Sequence, residues 1–135
     1  MKEGHNLKSL GSQKTEYKTD EPSTLILEAF GNKYSNRDYV IDISFPEFTS
    51  SCPKTGQPDF ATIYISYIPN KLCVESKSLK LYFFAFRNYG SFMETITNKI
   101  LDDLVTVIQP KRMKVIGKFN ARGGTFLNVT ATHKQ

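Results

Sequence analysis

From residue 38 the chain alternates between apolar and polar positions. Asp38-Tyr39-Val40-Ile41-Asp42-Ile43-Ser44-Phe45 sets Ile41, Ile43 and Phe45 on one side and Val40, Asp42 and Ser44 on the other, the period of a half-buried strand. A second strand is predicted over 60–68, Phe60-Ala61-Thr62-Ile63-Tyr64-Ile65-Ser66-Tyr67-Ile68, which is rich in β-branched and aromatic residues and is closed by Pro69-Asn70. The two form an antiparallel pair joined by a loop that contains Cys52. The period then lengthens. Over 74–87, Leu79, Phe83 and Phe86 fall on one helical face and Lys77, Lys80, Phe84 and Arg87 share another flank, so a short helix is predicted that stops before Asn88-Tyr89-Gly90. Ser91 as N-cap, with Glu94 at the capping-box spacing, opens a second helix running to Ile108 ahead of Pro110, with Phe92, Ile96, Ile100, Leu104 and Ile108 as its buried stripe. Two further strands are predicted over 113–119 and 125–130, linked by the hairpin turn Asn120-Ala121-Arg122-Gly123-Gly124.

Residues 1–36 are polar and weakly patterned apart from Leu25-Ile26-Leu27-Glu28-Ala29-Phe30, which predicts a partly ordered arm ahead of a single domain over 37–135. The domain reads as two strands, two helices and two strands, an α+β fold with an antiparallel sheet and both helices on one face. Such a sheet leaves its edges open. Pairing them between copies into a closed barrel would remove them, so a homo-oligomer is expected.

Composition narrows the setting. The 135 residues, 39% of them hydrophobic, fit one domain with a modest core, and no apolar run reaches the length that spans a bilayer. No apolar segment follows the charges of Met1-Lys2-Glu3-Gly4-His5-Asn6, so a cytoplasmic setting is expected, with Cys52 and Cys73 as reduced thiols. Lysine and arginine number 18 against 13 acidic residues, a net charge of +5 that suits an anionic partner such as a phosphorylated cofactor or a nucleic acid. No RNP pattern, zinc spacing or helix-turn-helix signature accompanies the charge, so no direct nucleic-acid contact is expected. His5 and His133 fall in the two tails without ligand-spaced partners, and no metal is expected.

The chemistry concentrates in Phe45-Pro46-Glu47-Phe48-Thr49-Ser50-Ser51-Cys52-Pro53-Lys54-Thr55-Gly56-Gln57-Pro58-Asp59-Phe60. It holds one thiol and, seven residues later, one carboxylate. Pro53 and Thr55-Gly56 supply turn chemistry, and Pro58 is expected to stop regular structure before Phe60. Lys54 and the turn amides are candidate activators of the thiol, and Asp59 is a candidate acid or base. A free cysteine is more often a small buried hydrophobe, but polar, proline-flanked surroundings are poor company for a core residue. Glu94 has two readings, a capping-box glutamate or a carboxylate that receives a ligand's N–H groups, since its helical neighbours Leu101 and Val105 place it at the margin of the apolar arc.

Two stretches carry a family likeness. The loop Glu47-Phe48-Thr49-Ser50-Ser51-Cys52-Pro53-Lys54-Thr55-Gly56-Gln57-Pro58-Asp59-Phe60 and the run Val74-Glu75-Ser76-Lys77-Ser78-Leu79-Lys80-Leu81-Tyr82, followed by Phe86-Arg87-Asn88, closely resemble the NADPH-dependent 7-cyano-7-deazaguanine reductases, nitrile reductases of queuosine biosynthesis, in their short single-domain form. The likeness extends from about Phe30 to Gly124 and includes Phe119-Asn120-Ala121-Arg122-Gly123-Gly124. It implies the tunnelling fold, with sheets joined between subunits into a barrel and sites between subunits. It also implies roles. Cys52 would attack the nitrile carbon to give a thioimide, and Asp59 would protonate the nitrile nitrogen. The resemblance makes Glu94 the anchor of the deazaguanine N–H groups and places Val74, Glu75 and Ser76 against the substrate from a neighbouring subunit. Lys77, Lys80 and Arg122 would hold the NADPH phosphates. Met93, beside Glu94 in the substrate site, stands where the family usually has histidine; methionine neither donates a hydrogen bond nor shuttles a proton, so that histidine's role does not carry over. Cys73 is read as a packing residue. A same-fold enzyme that passes the thioimide to an amine donor lacks the Glu75-Ser76-Lys77-Ser78-Leu79-Lys80 motif, and a non-catalytic basic RNA-binding protein leaves the placement of Cys52 and Asp59 unexplained.

Overall fold

The computed structural model of the chain describes residues 21–135, so the first twenty residues of the arm expected over 1–36 lie outside the described residues. Eight elements follow in order: β1 (Ala29–Gly31), β2 (Ile41–Ser51), β3 (Pro58–Ile68), β4 (Leu72–Val74), α1 (Ser76–Phe84), α2 (Met93–Ile108), β5 (Arg112–Arg122) and β6 (Thr125–Lys134). The long strands form an antiparallel sheet ordered β2-β3-β5-β6, and β1 pairs with β4 in a separate two-stranded ribbon. The expected strand, helix and strand order is therefore present, with β1 and β4 added. Each of these two is three residues long, too short to show a period.

Both helices cover one face of the large sheet. Phe45, Ile63 and Gly117 are successive cross-strand partners and so share that face. The Phe45 ring stacks on Phe83 of α1 at 4.8 Å. A Cβ on Gly117 would lie 2.6 Å from Thr97 Oγ1 of α2, so the missing side chain lets that helix settle on β5. Ile96, Ile100, Leu104 and Ile108 of α2 are all buried, as their spacing predicts, and truncating any one of them to alanine costs about 2–5 kcal/mol. Tyr82 Oη ties the helices together by donating to Asp103 Oδ2 at 2.6 Å, and burial, then that carboxylate, holds its phenol far above the usual tyrosine range.

Several boundaries differ from expectation for identifiable reasons. The strands on either side of Cys52 are longer than predicted because prolines sit where a ladder tolerates them: Pro58 is the first residue of β3 and pairs with Ser51, so it does not keep the chain irregular up to Phe60. Pro46 lies in a bulge, since Phe45 pairs with Ile63 but Phe48, three residues on, pairs with Ala61. Before the bulge Ile41, Ile43 and Phe45 face the helices; after it Phe48 and Ser50 are buried instead. The first helix begins at Ser76 because the buried Glu75 carboxylate caps it, accepting from the amides of Lys77 and Ser78 at 2.7 Å each. Ser91 is not the cap of α2. Its amide donates to Ser51 O at 3.2 Å, so the helix is capped one residue later by Phe92, without a side-chain bond, and the Phe92 ring is exposed rather than part of the stripe. His133 is not a tail residue but the β6 partner of Met113. Cys73 is buried in β4 opposite Phe30.

Candidate active site

The loop left between β2 and β3 is short and tied to itself. Cys52 N donates to Gln57 O and Gly56 N to Cys52 O, both at 2.9 Å, and Gly56 takes φ +71°, a left-handed value that glycine adopts without strain. The closed turn points amides back at the half-buried thiol. Hydrogen bonds from the Thr55 hydroxyl, then the Thr55 and Lys54 amides, and more weakly from Arg122, lower the Cys52 pKa to about 7 against a slight opposing effect of burial. Lys54 therefore acts through its backbone, and the Thr55 hydroxyl is the activator that sequence reasoning missed.

Asp59 opens the other side of the turn. It is 3% exposed, and its Oδ1 accepts from Arg122 Nη1 at 2.9 Å. Gln57 Oε1 accepts from Arg122 Nη2 at 2.7 Å, so the guanidinium spans the two. This arginine comes from the end of β5, where a second irregularity in the ladder precedes the tight Gly123-Gly124 turn. Beneath the same turn lies Ser50, fully buried and the Cα partner of Asp59, whose Oγ is the one buried side-chain polar atom among the described residues without a hydrogen bond.

The start of α2 is pinned to this turn. Ser51 N donates to Tyr89 O at 3.1 Å, Ser91 N donates to Ser51 O, and a Cβ on Gly90 would stand 3.5 Å from the Pro53 Cα. Glu94 thus enters the first turn of α2 near the thiol loop. It is exposed, with no hydrogen bond or ion pair to its carboxylate among the described residues, so the capping-box reading fails; Met93 beside it is half-buried.

The remaining site candidates lie elsewhere in the protomer. Val74 N donates to Tyr67 Oη at 3.2 Å, and Tyr67 is eight residues beyond Asp59 on β3, about 26 Å at the strand rise. Val74 and Glu75 are buried there and Ser76 is exposed. Lys77 and Lys80 follow on α1, and no hydrogen bond or ion pair among the described residues links them to Arg122. Lys80 instead lines a groove of about 160 Å³ with Thr49, Phe84 and Arg87. Among the described residues no group of three or more His, Cys, Asp or Glu is placed to hold a metal, and no helix is long and apolar enough to cross a membrane.

The molecule is an α+β protein with a thiol of lowered pKa at the end of an edge strand, in the same turn as a buried carboxyl. The family described as QueF-like protein matches residues 58–135, from the start of β3 onwards. A protein of Nitratidesulfovibrio vulgaris is 60% identical over 126 residues, covering 93% of this chain and 76% of that one. Another, of Chloroherpeton thalassium, is 62% identical over 109 residues, covering 81% and 94% respectively. Both are named NADPH-dependent 7-cyano-7-deazaguanine reductase. The crystal structure of the archaeosine synthase QueF-Like in the apo form matches with a TM-score of 0.65 and 19% identity, over 69% of this chain and 91% of that one, a likeness of fold. The chain belongs to the QueF-like family and has its tunnelling fold.

Proposed function

We propose that this chain is an NADPH-dependent 7-cyano-7-deazaguanine reductase, converting the nitrile to an aminomethyl group through covalent attack by Cys52. The observation that carries the reading is the meeting of an activated thiol with a buried carboxyl at one turn, in a chain 60% identical to reductases of that name. On substrate entry the thiol proton passes to the Asp59 carboxylate. The thiolate then forms the S–C bond as one π bond of the nitrile breaks, and Asp59 returns the proton to the nitrogen, so thiol and nitrile give a thioimide with no net proton change. Glu94, its carboxylate unengaged and its helix N-terminus favouring negative charge, accepts the N–H groups of the deazaguanine.

The residues fit a phosphate-bearing cofactor. Neither Lys77 nor Lys80 has a carboxylate partner among the described residues, and they lie three apart on the first turns of α1 with Arg87 in the groove beyond. NADPH, when bound, supplies hydride, and taking a nitrile to an amine uses two equivalents. Arg122 carries two duties in this reading, since its guanidinium already holds Asp59.

The separation along β3 supports an oligomer with shared sites. Val74, Glu75, Ser76 and the Lys77 that follows them stand at the opposite end of the protomer from Cys52, while Lys80 lies further along α1 beside Thr49. One substrate meets both sets only if a second copy presents its α1 to the first copy's thiol loop, and the open edges β2 and β6 offer the pairing that would close such an assembly. The test is loss of NADPH absorbance on adding 7-cyano-7-deazaguanine, for the native chain and for Cys52→Ala. Two NADPH per nitrile, abolished by the substitution, is the expected result; a covalent adduct without NADPH loss would point to transfer chemistry instead, and neither adduct nor turnover would overturn the enzymatic reading.

A further inference from the structure

Ser50 has no role in the reaction as set out above, yet its position is costly. Its side chain is fully buried and its hydroxyl has no hydrogen-bond partner among the described residues, an arrangement that destabilises a folded chain relative to alanine at the same place. It is the direct cross-strand partner of Asp59, so the two side chains stand side by side on the same face of the β2–β3 pair. Asp59 engages Arg122 through Oδ1 only, and Oδ2 has no partner among the described residues. The carboxyl is also covered, at 3% exposure, whereas the Arg122 side chain above it is 34% exposed. Any shift of that guanidinium leaves a largely buried carboxyl without its counter-charge.

We propose that Ser50 is a positioning residue for Asp59: its hydroxyl becomes the carboxyl's hydrogen-bond donor when Arg122 turns away as substrate enters. Ser50 Oγ–H then holds one carboxyl oxygen from below and leaves the other directed at the nitrogen of the Cys52 adduct. Ser50 itself neither gains nor loses a proton; the transfer remains between Cys52, Asp59 and nitrogen. An unsatisfied hydroxyl in the resting protein is thereby the counterpart of a satisfied one in the working state. This inference rests on the nitrile-reductase reading.

The experiment compares native chain, Ser50→Ala and Ser50→Thr in three measurements: thermal unfolding, covalent labelling of Cys52 by 7-cyano-7-deazaguanine without NADPH, and steady-state turnover with NADPH. For Ser50→Ala the expected result is an unchanged or raised Tm, labelling that still goes to completion but about tenfold more slowly, an unchanged substrate KM and a kcat lowered to match by misplacement of the acid. Ser50→Thr, which keeps the hydroxyl, restores most of the kcat. A Ser50→Ala chain with native kcat overturns the inference, as does one that fails to fold or melts earlier, because the hydroxyl would then be bonded in the resting state. Equal loss in both variants assigns Ser50 to packing and overturns it too. A native chain that neither labels nor turns over removes the reductase reading itself, a result distinct from native turnover with an indifferent Ser50.

Discussion

Arg122 reaches from the last residue of β5 to hold Asp59, with Nη1 2.9 Å from an oxygen of a carboxyl that is almost fully buried. Removing the guanidinium strands that carboxyl. Arg122→Ala is expected to lower stability by about 1–3 kcal/mol, less than for a wholly buried pair because the arginine is partly exposed. In a double-mutant cycle, Asp59→Asn should recover part of the loss, measured by urea unfolding. If the two losses simply add, the pair is not coupled.

The cause of the lowered Cys52 pKa gives a pH dependence. A depressed thiol pKa means the thiolate is populated above it, so the rate of alkylation of Cys52 by iodoacetamide should rise with pH through about 7 and then level off. Thr55→Val deletes the leading hydrogen bond and should move that midpoint upward, towards the ordinary thiol value of about 8.5. An unmoved midpoint would assign the shift to the backbone amides alone.

Glu94→Gln keeps the shape of the first turn of α2 but removes an acceptor. Its carboxylate has no protein partner among the described residues, so stability should change only by the helix-end term of about 0.3–1 kcal/mol, while the substrate KM rises severalfold with kcat less affected. Comparable losses of kcat and affinity would place Glu94 in the chemistry itself.

Gly117→Ala tests the seating of α2. The added methyl would sit 2.6 Å from Thr97 Oγ1 and 2.8 Å from the Phe119 ring, an overpacking expected to cost about 1–3 kcal/mol. Adding Thr97→Ala should return part of it, since one of the two obstacles goes. Calorimetry on the single and double variants decides.

The division of site residues between the two ends of the protomer predicts complementation. Cys52→Ala chains and Lys77→Ala chains, each inactive or nearly so alone, should regain NADPH turnover when denatured together and refolded as mixed oligomers. Failure of the mixture, with mixed oligomers demonstrated by mass, would place both sets in one subunit's site.

Much of this arrangement was readable from residue order because the long strands and helices repeat their period several times. Ile96, Ile100, Leu104 and Ile108 occur at helical spacing and are buried; Ile41, Ile43 and Phe45 alternate and face the helices. What residue order does not show depends on contacts distant in sequence. No local signal says that the Ser91 amide will bond Ser51 O across forty residues, which displaces the helix start and turns Phe92 outward. Nor does composition reveal that Gln57 and Asp59 share one guanidinium, or that Ser50 lies beneath them. Glu75 was legible only through family likeness, which gave it a ligand-binding role; the fold uses its carboxylate to cap α1. The prolines and glycine mark the thiol loop, but it is shorter than they suggest because Pro46 and Pro58 are both accommodated inside strands.

The surplus residue between Phe45 and Phe48 lets β2 change parity while β3 beside it does not. Upstream of it Ile41, Ile43 and Phe45 look towards the helices and downstream Phe48 and Ser50 do, while their partners on β3, among them Ile63, Ala61 and Asp59, stay odd-numbered throughout. Deleting one residue at Pro46 would return β2 to a regular ladder with Phe48, Ser50 and the thiol turn still on the same side of the sheet, whereas deleting two would set Phe48 opposite Thr62 and turn them to the other. The side from which Cys52 is presented is therefore set several positions away, and loss of the single surplus residue should be tolerated where loss of two is not.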